Sequence, residues 1–415
     1  MLTNFNLAIM RLHCGGILLS LTSLCFAAPA HADNEALRGK LKLSHVSASL
    51  WRADYEFNQP IEGLRFRQIG EYRAQAWKPD GKLNGAVIDK EGETYLSNAG
   101  PTTRFSFFIQ PYGKFVEGEY APINQFTDGA ASIYMGFFQA SAILDKAAAP
   151  KPNEIPLKIE YQGLQGETVL PPPSRIGVDP VNEKQAQAYA YFGPQQVSSA
   201  GAMQVILDPA MPVWMRDTLL VTSAKISGYF ESAYQRPLLT PLLMTVALSD
   251  LESSGMSIKG GASQGQINFR VSGKQSVIDS PALRDAFSQL IAHEIAHIWQ
   301  NNLAHEAIGG DAPWIHEGGA EAMSLDAMYG SGLWDKDKFL AMQTRRWNEC
   351  DKLTNAKIDL ASNYRAQYVC GMKRFDDTKL SIVTIWRALI AESERSGKVY
   401  SEQMVRDILT QLQNR

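Results

Sequence analysis

Basic residues are in short supply: 40 lysines and arginines stand against 43 aspartates and glutamates, a formal net charge of -3. A protein that grips a nucleic-acid backbone usually carries a clear basic excess, so no nucleic-acid partner is expected. Long apolar runs are lacking too. Beyond the first 32 residues no stretch approaches the roughly eighteen apolar residues a membrane span needs, so the mature chain is expected to have none. Beyond Gly330 there is no repeat or low-complexity tract. Cysteine is scarce, at four among 415 residues, and Cys14 and Cys25 lie near the amino-terminus. That leaves a single later pair, Cys350 and Cys370.

What is present begins with an export signal. Arg11 supplies a positive start, "GGILLSLTSLCFAA" an apolar core, and Ala30-His31-Ala32 a small-residue cleavage site. Leu24 stands before Cys25 where a lipoprotein signal needs a small residue. Residues 1–32 therefore read as a signal peptide, with a mature chain from near Asp33, exported to the periplasm or secreted. Its formal charge is -4, because Arg11 leaves with no acid. An uncleaved signal anchor is the alternative, and the small residues after the apolar run argue against it. In an oxidising compartment Cys350 and Cys370 read most simply as a disulfide, with two buried free thiols as the other reading.

A chain of 415 residues, 45% hydrophobic and 20% charged, is a folded protein too long for one ordinary core. From about residue 41 to 168, "KLKLSHVSASLW", "EYRAQAW", "RFSFFIQ", "ASIYMGFF" and "LKIEYQG" alternate aromatic or β-branched residues with polar ones, as half-buried antiparallel strands do. The prolines of "VLPPPSRIGVDP" mark a boundary. After it, Pro212 to Gln235 has helical spacing, "LLMTVALSD" and "GQINFRV" read as strands, and the region beyond Gly330 is helical. The expected architecture is α+β and multidomain. An antiparallel β-sandwich-like domain covers 33–175, a second domain 176–340, and a helical region 341–415.

Ser280-Pro281 is a helix start, an N-cap serine followed by proline at the first helical position. The helix runs through "ALRDAFSQLIAHEIAHIWQNN", so His293 and His297 fall four apart on one face, with Glu294 beside the first. Zinc chemistry wants this set: two neutral imidazoles hold the ion and a neighbouring carboxylate takes a proton from bound water. Histidines that merely pack in a core are the other reading. Four of the five histidines outside the signal (His293, His297, His305 and His316) lie in one segment, which favours the metal. Gln300 and Leu303 stand where the metzincin pattern needs glycine and histidine, so the third ligand must come from elsewhere. A second helix opening at Pro313 and stopping at Gly330 offers Glu317 and Glu321, four apart on one face.

"HEIAHIWQNNL" followed by "WIHEGGAEA" resembles the gluzincin peptidases, and among them the aminopeptidase N and leukotriene hydrolase family, with the glycyl aminopeptidases about as close. The resemblance implies a thermolysin-like zinc-peptidase domain, Zn²⁺ as cofactor and a peptide or protein substrate. His293, His297 and Glu317 match the metal ligands, Glu294 the general base, and Trp299, Asn302, Leu303 and Trp314 flanking positions of the two motifs. Glu321 resembles the acid that orients a metal-bound histidine, a solvated helix-face acid being the alternative. Tyr368, in "NYRAQYVCGMKRF", resembles the tyrosine that donates to a developing oxyanion, with Tyr364 as the reserve.

Departures are also visible. Cys370 replaces the lysine of that segment, and nineteen residues (298–316) separate His297 from Glu317, one more than the family's usual gap. In "GGASQGQINFR" Gln264 stands near where a glutamate would bind a free α-amino group, which weakens the case for aminopeptidase specificity. Two rival functions share the fold: an inactive exported binding or assembly protein, and a zinc hydrolase of a non-peptide substrate.

Overall fold

The computed structural model describes residues 36–414, apart from 82, 91, 113–115, 117–118, 146–153, 174–187, 201–202, 236–237, 239–241, 264, 303–311 and 360–361. The signal segment, Gln264, Leu303 and His305 thus lie outside the described residues.

Alternation does build the first sheet. Leu41, Leu43 and His45 of strand Gly39–Ser47 point inward while Lys40 and Lys42 point out, and Trp51, Ala53, Tyr55 and Phe57 do the same along Leu50–Ile61. These two strands pair antiparallel, and Thr102–Ile109 adds Phe105, Phe107 and Ile109 to the same core. One partner departs from the antiparallel expectation. Leu157–Gln162 pairs parallel with Gly39–Ser47, which the long intervening chain permits.

The stretch "EYRAQAW" is not a strand along its length. Tyr72–Ala76 forms a short helix, α1, and only Trp77–Pro79 pairs in the sheet. The reason is Arg73. Tyr72 and Arg73 are both buried, a pair that alternation cannot bury on one face. Within the core the Arg73 guanidinium donates to the carbonyls of Arg67 and Phe137, each at 2.6 Å, and lies against Phe66 and Trp77. A second sheet contains Ser141–Ile143, Gly63–Phe66, Gly92–Leu96 and Val87–Asp89. A third runs Thr168–Leu170, Tyr189–Gly193, Ala131–Tyr134, Ile123–Gln125. "ASIYMGFF" is strand to Tyr134 and then a 3₁₀ turn.

The fourth sheet carries the rest of the molecule. Met203–Leu207, Leu242–Ser249 and Gln266–Ser272 run parallel, with antiparallel edges at Ser198–Ala200 and at Ser257–Lys259 and Ala262–Ser263. "LLMTVALS" is buried residue after residue, as a strand covered on both faces must be. Gln266 ties this sheet to the third. Its side chain accepts from the Tyr189 N–H at 2.7 Å and donates to the Tyr189 carbonyl at 3.1 Å.

Seven helices complete the described chain: α2 (Val213–Tyr234), α3 (Pro281–Asn302), α4 (Pro313–Gly330), α5 (Lys336–Asn355), α6 (Tyr364–Asp377), α7 (Ile382–Ser396) and α8 (Glu402–Gln413). Residues 340 and 341 both lie inside α5. Ser280 caps α3 by accepting from the Leu283 N–H at 3.2 Å, and Asn363 caps α6 through the Ala366 N–H at 2.9 Å. Cys350 of α5 and Cys370 of α6 form a disulfide. Among the described residues no helix is long and apolar enough to cross a membrane.

Candidate active site

Helix α3 delivers two imidazoles to one place. The His293 and His297 rings lie 4.7 Å apart and nearly perpendicular. Each ring has an oxygen acceptor near its outer nitrogen. His293 Nδ1 faces Glu321 Oε2 at 3.3 Å, and His297 Nδ1 lies 2.9 Å from Gln300 Oε1. Both partners accept, so in the neutral rings the proton belongs on Nδ1 and the Nε2 lone pair points inward. Those two Nε2 atoms are 3.1 Å apart, and Glu317 Oε2, from α4, lies 3.3 and 3.4 Å from them.

With both rings neutral, three lone pairs converge on one point and repel one another unless a proton or a metal ion lies between them. Ligand atoms about 2.0–2.1 Å from a tetrahedral zinc stand about 3.3 Å from each other, which matches the three edges. The donor set therefore fits Zn²⁺. Among the described residues the group consists of these three ligands. His316, despite its place beside Glu317, packs its ring against Tyr400 at 5.7 Å.

Electrostatics follow from this geometry. Burial opposes the His293 imidazolium, but the hydrogen bonds it donates to Glu317 and Glu321 outweigh it and raise the metal-free ring to about 10. Burial likewise opposes ionisation of Glu317, yet the two imidazoles hold its carboxyl well below the usual range. Glu321 is held low against burial by His293 and Arg346. Zinc requires the neutral ring, so one proton must leave His293 as metal enters. Apparent zinc affinity is expected to rise about tenfold per pH unit between about pH 6 and 9, measured by competition with a chelator. A flat profile would show that proton and metal do not share the ring.

Glu294 sits in a separate wall of the site. Burial first, and then the charge of Glu317, push its carboxyl above the usual range, while the histidines and the Ala262 N–H pull the other way. The segment beside it owes its approach to a glycine: a methyl on Gly260 would lie 2.9 Å from Glu294 Oε1. The Tyr120 hydroxyl, from the β-rich part of the chain, donates to the Ala262 carbonyl at 2.8 Å.

Tyr368 stacks on His293 with ring centroids 5.2 Å apart, and hydrogen-bonds Tyr364 and Glu317. Burial and then Glu317 push its hydroxyl far up, so it remains a donor. Its helix reaches the site because two glycines meet. A methyl on Gly371 would lie 2.8 Å from Gly318 Cα and 2.7 Å from the Trp314 carbonyl oxygen.

Sequence reasoning missed Gln300, Arg346 and Tyr120. Gln300 follows His297 by three residues, a signal that was present. Arg346 and Tyr120 reach the site only through tertiary packing.

No protein-family model and no curated protein matches the sequence. Solved structures match the fold. An aminopeptidase N family protein from Idiomarina loihiensis aligns with a TM-score of 0.58 at 12% identity, over 90% of this chain and 73% of that one. Leukotriene A4 hydrolase from Saccharomyces cerevisiae aligns with a TM-score of 0.52 at 13% identity, over 90% of this chain and 64% of its own length. The chain thus spans less than two thirds of the yeast protein. With separate β-sheets, a helix-covered sheet and carboxy-terminal helices, and an alignment over nine-tenths of its length, the chain shares its multidomain α+β fold with these two structures.

Proposed function

We propose that this protein is an exported zinc metallopeptidase. The observation that carries the reading is the inward convergence of His293 Nε2, His297 Nε2 and Glu317 Oε2, with the buried carboxylate of Glu294 held outside that group. Bound Zn²⁺ would supply Lewis acidity to the scissile carbonyl and acidify the attacking water. Glu294 takes that water's proton and passes it to the leaving nitrogen. Its raised affinity for protons suits both halves of the task, since a base must also give the proton back. Tyr368 donates its hydroxyl hydrogen to the developing oxyanion, and Glu321 keeps the His293 proton on Nδ1.

Export is supported by the amino-terminal signal pattern and by the Cys350–Cys370 disulfide, which belongs to an oxidising compartment.

The test is metal analysis of the purified protein, followed by incubation with a mixed peptide library and small esters, with and without chelator. Stoichiometric zinc and chelator-sensitive peptide cleavage are expected. Zinc without cleavage of any peptide would return the function to a binding protein, and cleavage of esters alone to a non-peptide hydrolase.

A further inference from the structure

The geometry points to Gln300 as a positioning residue that sets the tautomer of His297, an inference that rests on the metallopeptidase reading. The two histidines are held differently. His293 faces a carboxylate, whereas His297 Nδ1 meets a neutral amide oxygen at 2.9 Å. An amide can present oxygen or nitrogen to a ring, and the two choices have opposite consequences. Oxygen toward Nδ1 keeps the proton there and leaves the Nε2 lone pair for metal. Nitrogen would demand the lone pair at Nδ1 and leave a proton on Nε2, where metal must bind.

The choice is made by α4. Gln300 Nε2 donates to the His316 carbonyl at 3.1 Å, an oxygen that accepts only. A flipped amide would set oxygen against oxygen there. Gln300 is fully buried, so water cannot stand in for either partner. Its backbone is anchored too, the Tyr400 hydroxyl donating to the Gln300 carbonyl at 2.8 Å. Gly319 leaves the room: a methyl on it would lie 2.9 Å from Gln300 Nε2. The carbonyl that orients the amide belongs to the residue just before Glu317. One side chain therefore links the tautomer of one metal ligand to the backbone that carries another.

The full-length protein is the test object, with zinc affinity read by chelator competition, independently of turnover. Gln300→Leu removes acceptor and donor and is expected to bind zinc about 10- to 100-fold more weakly. Gln300→Glu keeps an oxygen for the Nδ1 proton and, when protonated, a donor for the His316 carbonyl. It is expected to stay within about threefold of wild type, a small part of that penalty. Phe287→Leu, a core change on the same helix, controls for lost stability and should leave zinc affinity unchanged. Wild-type affinity in Gln300→Leu, equal losses in the Leu and Glu variants, or an equal loss in Phe287→Leu would each overturn the assignment. A wild-type protein that binds no zinc would instead sink the metallopeptidase reading on which it rests.

Discussion

Replacing Glu294 by Gln is expected to lower peptide turnover by roughly a hundred- to ten-thousand-fold while leaving zinc in place. The amide has the same shape, and its oxygen can still accept from the Ala262 N–H. It does not belong to the His293, His297 and Glu317 group, so metal loading should be untouched. What it cannot do is take the proton from water. The same change should leave the metal-free fold at least as stable. Burial and the Glu317 charge raise the Glu294 carboxyl above its unfolded value, so its ionised form costs stability once the pH exceeds the ordinary glutamate range. That cost disappears with the charge. Loss of activity together with a gain in thermal stability is the pattern of a group retained for chemistry rather than for folding. Turnover equal to wild type, with zinc retained, would remove Glu294 from the mechanism.

Much of the candidate site was legible because it obeys local rules. A four-residue spacing puts His293 and His297 on one helix face, and the same spacing relates Glu317 to Glu321, whatever the rest of the chain does. The helices themselves announced their starts at Ser280-Pro281 and Pro313. Where reading failed, the cause was tertiary. "EYRAQAW" looked like a strand because nothing local says that Arg73 will find two carbonyls and two aromatic faces in a core. Arg346 holds Glu321 across helices, and Tyr120 reaches Ala262 from a sequence position 142 residues away. Neither contact has a period. The parallel partner of Gly39–Ser47 is of the same kind, since burial alternation is identical for either strand direction. In "EGGAEA" two glycines fall inside helix α4, and the structure supplies their reason.

Gly318→Val is expected to destabilise the fold by more than about 3 kcal/mol, at the upper end of overpacking costs. Ordinarily a glycine inside a helix is a liability of about 1 kcal/mol relative to alanine. At Gly318 that liability is outweighed, because a methyl there would lie 2.3 Å from the Gly371 carbonyl carbon and 2.6 Å from the Met372 nitrogen. These are backbone atoms, which cannot rotate aside as a side chain would. To admit even one methyl, α4 and α6 must part, and the separation is transmitted directly to function. Gly318 follows Glu317, and Gly371 lies three residues beyond Tyr368, so parting the helices draws the tyrosine away from His293. Gly228 provides the contrast within the same molecule. It lies inside α2, exposed, with nothing within 4 Å of an added methyl, so Gly228→Ala should stabilise by about 1 kcal/mol. Denaturant unfolding of the two variants should therefore diverge in sign, by about 4 kcal/mol in total. Turnover should fall only in the Gly318 variant. Shifts of the same sign would mean that the two helices tolerate separation, and that the glycines are not what brings Tyr368 to the site.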